Sequence, residues 1–345
     1  MQQLEKGTRS PSPEIVLALC DLLDVRPEFF ARPVPASILR ADVNFRKLKT
    51  SKVSFQNQLV ATANLLQEVI SIIGEKVDFP DVSFPSFGHM DSPNMDALTE
   101  KFRDHMELGT DSPIESITRI LENLGAVCVK SSDIPEKISA ISVNGERPLV
   151  IHDGDGHQPT RQRFDLAHEL GHLVLHRGVI TGDDKTEAEA NAFASALLMP
   201  RRAFMSEWPL PYRVRVDQRA LRALSPLKEL WGASYAAIFR RARDLGLIGD
   251  ATYTGANIFL RKKGYGKKEP QEPLHGETPE LIASSFEVLQ DALQIRVGDI
   301  AFEMGLRTSQ LESLLGVQGP REAVDSENVV DLGAYAADRK KVIPG

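Results

Sequence analysis

Arg163-Phe164-Asp165-Leu166-Ala167-His168-Glu169-Leu170-Gly171-His172-Leu173-Val174-Leu175-His176 carries the pattern H-E-x-x-H at residues 168–172. Phe164, Ala167, Leu170 and Val174 recur at spacings of three and four, which predicts a helix with a buried side. Positions i and i+4 of a helix share a face, so both imidazoles reach one metal ion while Glu169 turns toward a water on that metal. A catalytic zinc needs two neutral nitrogen ligands at ~2.0–2.1 Å, a third protein ligand and a position open to water. Zinc lowers the pKa of its water to about 7, and a neighbouring carboxylate accepts the proton as an amide carbonyl is attacked. Glu169 is the candidate for that carboxylate. The competing account has both His on a solvated face by chance. The chain holds only eight His, and two fall at this spacing among apolar neighbours. A buried neutral His needs a partner, and a metal supplies one.

His176 is a tempting third ligand, but on a straight helix it stands ~12 Å from His168 at 1.5 Å per residue. No Gly between His172 and His176 turns the chain back, as the long metzincin pattern requires. His176 is therefore read as structural or as a support behind the ligands. The better source is Thr186 to Pro200, a helical pattern rich in small residues (Ala188, Ala190, Ala192, Ala194, Ala196) and ended by Pro200. Such a helix packs closely against the first, and a Glu near its start would face the metal.

Residues 163–176, followed by Glu187-Ala188-Glu189-Ala190-Asn191-Ala192-Phe193-Ala194 and Leu197-Leu198-Met199-Pro200, resemble the ImmA/IrrE family of zinc metallopeptidases. The resemblance implies an α+β, zincin-like fold of gluzincin type, with the H-E-x-x-H helix beside a small antiparallel sheet and helical segments on either flank. It implies His168, His172 and a Glu of the second helix as Zn2+ ligands, with Glu169 as base. The family's acidic position four before the Asn falls on Glu187, which shares a face with Asn191; Glu189 is the fallback. Some members cleave helix-turn-helix repressors to switch on phage-type, mobile-element or DNA-damage genes. A protein substrate of repressor or antitoxin type is the partner this implies.

The N-terminus is similar to the closing part of an Xre-type helix-turn-helix domain. Ser12 is placed as an N-cap with Pro13 at N1, and Ile15, Leu19, Leu22 and Leu23 form a helical apolar face. In that family the recognition helix precedes this stretch, and Met1 comes too late to include it. Sequence-specific DNA binding by residues 1–35 is therefore not expected, because that helix supplies the base contacts.

At 345 residues with 42% hydrophobic side chains, two or more domains with real cores are expected. The divisions read from the sequence are the helix-turn-helix remnant 1–35, a helical connector 36–95, the peptidase domain 96–210, a mostly helical region 211–320, and a disordered tail 321–345. No apolar run approaches the ~20 residues of a membrane helix, and no signal peptide is evident, so a cytoplasmic location without membrane association is expected. Cys20 and Cys128 read as buried thiols. A net charge of −7 disfavours indiscriminate nucleic-acid binding. The basic stretches Arg40–Lys52 and Arg261–Lys268 read as solvated faces rather than phosphate sites.

Between these regions, a helix is predicted at 54–74 and an extended linker at 78–94. Ser112-Pro113-Ile114-Glu115 reads as a capping box opening a helix that Gly125 ends. Ala126–Val129 reads as a strand, and residues 138–152 as a hairpin closed by a tight I′ turn at Asn144-Gly145. His152 and His157, after this hairpin, read as structural or surface residues. Residues 251–275 read as a short strand and a Lys/Gly/Pro-rich loop, and 279–315 as helices in which 297–311 have the form of a helix-turn-helix. Two functions compete: a zinc endopeptidase acting on a protein, and a regulator or antitoxin component that keeps the peptidase fold for binding. The intact H-E-x-x-H favours the first; the helix-turn-helix remnant favours the second.

Overall fold

Strand alternation and helix periodicity in the middle of the chain set the frame. The computed structural model describes residues 4, 8, 10–32, 38–39, 42–43, 53–87, 94–131, 140–153, 158–179, 181–266, 268–270 and 275–317. His157, the tail beyond 317, most of the Arg40–Lys52 stretch, Lys267 and the start of the expected hairpin at 138–139 lie outside the described residues.

In chain order the helices before the sheet are α1 (Pro13–Leu23), α2 (Glu28–Ala31), α3 (Val53–Gly74), α4 (Met95–His105) and α5 (Ile117–Asn123). Then come β1 (Val127–Ser131), β2 (Ala140–Val143) and β3 (Leu149–Asp153). They are followed by α6 (Pro159–Leu175), α7 (Asp184–Leu198), α8 (Arg201–Ser206), α9 (Gln218–Trp231), α10 (Tyr235–Asp244) and α11 (Asp250–Lys262). The last are α12 (Leu281–Leu293), α13 (Val297–Glu303) and α14 (Thr308–Leu315). Cys20 and Cys128 are buried free thiols, as expected. No helix among the described residues is long and apolar enough to cross a membrane.

The sheet order is β1-β3-β2, with β1 parallel to β3 and β2 antiparallel to it. The expected antiparallel sheet is thus mixed. Because successive side chains point to opposite faces, one face gives Val127, Val129, Ile141, Val143, Leu149 and Ile151 to a core shared with α3 and α12 to α14. The other face gives Cys128 and Val150 to a core containing Leu166, Leu170 and Leu173 of α6 and Phe193 and Leu197 of α7. Burial on both faces explains why these strands read as nearly continuous apolar runs.

Several local expectations are corrected. The pairing Val143↔Leu149 leaves residues 144–148 as the connection, and neither Asn144 nor Gly145 takes the positive φ of a I′ turn. The wider loop is held from outside: Arg147 donates to the carbonyls of Pro80 and Gly125, each at 2.7 Å, and its own carbonyl accepts from Gln67 at 2.7 Å. The capping box at 112–115 does not form. Helix α5 starts at Ile117 with Ser116 as N-cap, and the Ser112 carbonyl is taken by the Arg103 guanidinium. Ser116 Oγ accepts from the Arg119 N–H at 3.1 Å, and a distant carboxylate, Glu277, takes the remaining first-turn donors, the N–H groups of Ile117 at 3.0 Å and Thr118 at 3.2 Å. Gly125 ends the helix as expected, at φ +86, where a Cβ would stand 2.5 Å from the Asp81 carbonyl oxygen. The strand expected after 251 is the helix α11, whose buried Thr252, Ala256 and Leu260 recur every four residues. The apolar face expected of α1 is largely in solvent, with Leu22 75% and Leu23 48% exposed; its buried residue is Cys20.

The segment joining α1 and α2 meets α13 and α14. Gly305, at φ +68 between α13 and α14, comes so close to Phe29 that a side chain there would collide with its backbone. Arg26 N–H donates to the Gly305 carbonyl at 2.8 Å, and Gln310 to that of Leu23 at 3.0 Å. A second carboxylate returns the service of Glu277: Glu122, on α5, accepts from the N–H groups of Glu280 at 3.2 Å and Leu281 at 3.1 Å, which begin α12.

Burial pushes the Glu122 carboxyl up to about 7, against the two backbone donors that favour its charged form. An acid whose folded pKa lies above its unfolded value stabilises the fold fully below the unfolded pKa, and that contribution is lost as pH rises through about 7. At ~1.4 kcal/mol per unit, the loss from this one group is on the order of 3 kcal/mol. Urea unfolding at pH 5 and pH 8 should show a decline across this window that Glu122→Gln, neutral at both and still able to accept, makes smaller. An equal decline in both proteins refutes the assignment.

Candidate metal centre

Helix α6 starts with Pro159 at its first position, after Gln158. It buries Leu166, Ala167, Leu170, Leu173 and Val174, and His168, Glu169 and His172 are buried with them at 1, 3 and 1% exposure. Helix α7 opens on Asp183, whose carboxylate accepts from the N–H groups of Lys185 at 2.8 Å and Thr186 at 3.0 Å. Gly171 lets the two helices touch. A Cβ there would lie 3.3 Å from both Cα and O of Ala190 and 3.1 Å from the Phe193 ring. This is the close packing expected of the small residues in 186–200. It brings the first turn of α7, with Glu187, over the imidazoles of α6.

The Nε2 atoms of His168 and His172 stand 3.0 Å apart. Glu187 places Oε2 3.5 Å from the first and Oε1 3.4 Å from the second. Ligand atoms of these three residues lie within 4.8 Å of one another. Ligands ~2.05 Å from an ion at tetrahedral angles stand ~3.3 Å apart, so this triangle has the size of one zinc coordination sphere with a corner left over. The donor set, two imidazoles and one carboxylate, suits zinc. Burial disfavours the charge on Glu187, but the two imidazoles more than compensate and hold its carboxyl at about 2.

Glu169 lies outside that triangle. Its Oε2 accepts two hydrogen bonds from one residue, Ser142, at 2.9 Å from the backbone N–H and 2.5 Å from Oγ. Burial raises the carboxyl, opposed by His172, His168 and the Ser142 hydroxyl. Ser142 was not singled out from the sequence. Its one signal is a hydroxyl in an otherwise apolar strand.

The remaining candidates fall outside the cluster. His176 is the C-cap of α6, and its ring stands between His172 and Glu189: Nδ1 is 3.1 Å from His172 Nδ1, and Nε2 is 3.0 Å from Glu189 Oε2. Glu189, the fallback ligand, thus pairs with His176 rather than facing the triangle. Burial lowers the pKa of His176, though its bond to Glu189 opposes this. His152 is fully buried beside Gln162, 2.9 Å away, which excludes the surface position expected as one alternative.

Residues 122–243, from the end of α5 to the last turn of α10, contain this arrangement. They match the family Peptidase_M78, described as the IrrE N-terminal-like domain. The M78-type segment is thus similar to metallopeptidases related to ImmA and IrrE, a zinc peptidase family in general. No curated protein matches the chain.

Overpacking a buried contact costs typically about 1–3 kcal/mol. Gly171→Val, which puts branched carbon atoms between α6 and α7, should lower the urea midpoint accordingly and reduce zinc uptake by displacing Glu187. Wild-type stability and zinc uptake together would show that the two helices tolerate separation.

Proposed function

We propose that the chain is a zinc-dependent endopeptidase that cleaves a protein partner, a helix-turn-helix repressor or an antitoxin, in the cytoplasm, and thereby controls gene expression. The observation that carries this reading is the convergence of His168 Nε2, His172 Nε2 and the Glu187 carboxylate beside the buried carboxylate of Glu169. His168, His172 and Glu187 would hold the ion, which when bound would supply an activated water and polarise the scissile carbonyl. Glu169 is the general base: with Oε2 engaged by both donors of Ser142, Oε1 takes the proton from water and returns it to the leaving amine nitrogen.

Strand β2 is an edge strand packed against α6 and tied by Ser142 to Glu169. Its Val143 end is covered by Val43, with Asn144 N–H donating to the Asp42 carbonyl at 2.7 Å. An extended substrate pairing with the strand toward Ala140 would run past Glu169, and backbone pairing of this kind makes few demands on side chains. A second reading, a regulator that uses the fold for binding, is favoured by α1, which presents Leu17 at 57% and Leu22 at 75% exposure.

The purified chain should bind about one zinc ion, and His168→Ala should lose it. Full zinc content in that variant misplaces the site. Glu169→Gln should keep wild-type zinc content while lowering turnover by about 10²–10⁴-fold, the usual worth of general-base catalysis. Co-expression with candidate helix-turn-helix repressors, followed by immunoblot, separates the readings. Equal cleavage by both forms removes Glu169 from the mechanism; cleavage by neither, with regulation intact in cells, favours the binding reading.

DNA binding by the chain alone should be weak, salt-sensitive and nearly indifferent to sequence. Helix α14 turns Thr308, Ser309 and Ser313 outward, and the adjoining Arg307 pairs with Asp24 at 3.2 Å, which leaves little to attract phosphate. Tight operator-specific binding in a gel-shift titration would overturn this.

A further inference from the structure

The two imidazoles of the H-E-x-x-H motif differ in what lies behind them. His168 Nδ1 is buried with no hydrogen-bond partner among the described residues. His172 Nδ1 faces His176 Nδ1 at 3.1 Å, and His176 Nε2 faces Glu189 Oε2 at 3.0 Å. This alignment arises because α6 stops at Leu175. His176, with φ −123 and ψ 21, leaves the helical path while its N–H still bonds the His172 carbonyl at 2.9 Å. Its ring therefore stands beside the ring of His172, with centroids 5.2 Å apart.

We propose that His176 and Glu189 are a positioning pair for His172, fixing the tautomer and orientation in which His172 Nε2 binds zinc. The proposal rests on the zinc reading above. A His that gives Nε2 to a metal carries its proton on Nδ1 and must donate from it. Only an unprotonated His176 Nδ1 can receive that bond, which places the His176 proton on Nε2, where the Glu189 carboxylate accepts it. One carboxylate thus sets the tautomers of two rings in series. A direct carboxylate partner is the commoner way to back a ligand; here an imidazole is interposed, because Glu189 lies on α7 and reaches the end of α6 rather than its middle. His172 becomes the pre-oriented ligand, while no described residue backs His168 at Nδ1.

The test is zinc affinity by chelator competition on the full chain, with apo-protein melting temperature measured in parallel. Loss of a hydrogen-bonding partner behind a metal-bound His costs about 10–100-fold in metal affinity. Glu189→Leu and His176→Leu, neither of which leaves an acceptor in place, should each weaken zinc by that factor at near-wild-type apo stability. His176→Asn, whose Oδ1 can accept where Nδ1 did, should recover part of it. Cobalt substitution gives a second readout, since its d–d bands should shift in Glu189→Leu. If His176→Leu does not fold, Glu189→Leu decides alone. Wild-type zinc affinity with an unchanged cobalt spectrum in Glu189→Leu overturns the proposal and leaves the zinc reading standing. Failure of the wild type itself to bind zinc overturns both.

Discussion

The contact between α6 and α7 at Gly171 is the constraint on which the rest depends. Two His at i, i+4 make half a site, and the other half must arrive from a different helix at hydrogen-bonding range. A carboxylate on a Glu side chain reaches only a few ångströms from its own backbone, so the helix axes must approach closely. Gly171 against Ala190, with Phe193 beside them, permits that approach. The sheet beneath serves the same end. Its inner face packs α6 through Val150 and Cys128, and its edge strand brings Ser142 to Glu169.

Each carboxylate at this site, the buried Glu169 and the partly buried Glu187 and Glu189, faces a polar partner. Glu187 faces two imidazoles, Glu169 takes two donors from Ser142, and Glu189 ends a chain of imidazoles. Each carboxylate thus has partners of its own, Glu187 at His168 and His172, Glu169 at Ser142 and Glu189 at His176.

What the sequence made legible was whatever depends on local spacing. The helix at 53–74, the H-E-x-x-H helix, the small-residue helix beside it and the ending at Gly125 all follow from periodicity and from backbone rules at Gly and Pro. The convergence of Glu187 with the two His, rather than of Glu189, was legible from the Asn191 register and the resemblance together. What failed was chemistry supplied from far along the chain. Ser112 to Glu115 has the letters of a capping box, but Glu277 does that work from 160 residues away at Ile117. Asn144-Gly145 has the letters of a tight turn, but Arg147 anchors the loop to Pro80 and Gly125 and opens it. Residues 251–262 hold β-branched and aromatic side chains, yet four-residue burial spacing made them a helix. Ser142 could not be picked out, because nothing local marks a strand hydroxyl that meets a glutamate 27 positions later.

The buried carboxylates of the 268–280 segment bear on how much chain makes a working unit. Residues 122–243 match the family, but Lys228 within them is fully buried, and its ammonium is answered by Glu269 at 2.7 Å. The Glu269 carbonyl accepts from the Gln158 side-chain amide at the head of α6 and its N–H donates back to that amide's oxygen, and Glu277 reaches Arg163 at 3.3 Å one turn on. A fragment cut at residue 243 would leave the buried Lys228 without its carboxylate partner and the start of α6 without its ties to Glu269 and Glu277. The smallest autonomous piece therefore extends past the homologous region, and its far end is an anchor rather than an appendage.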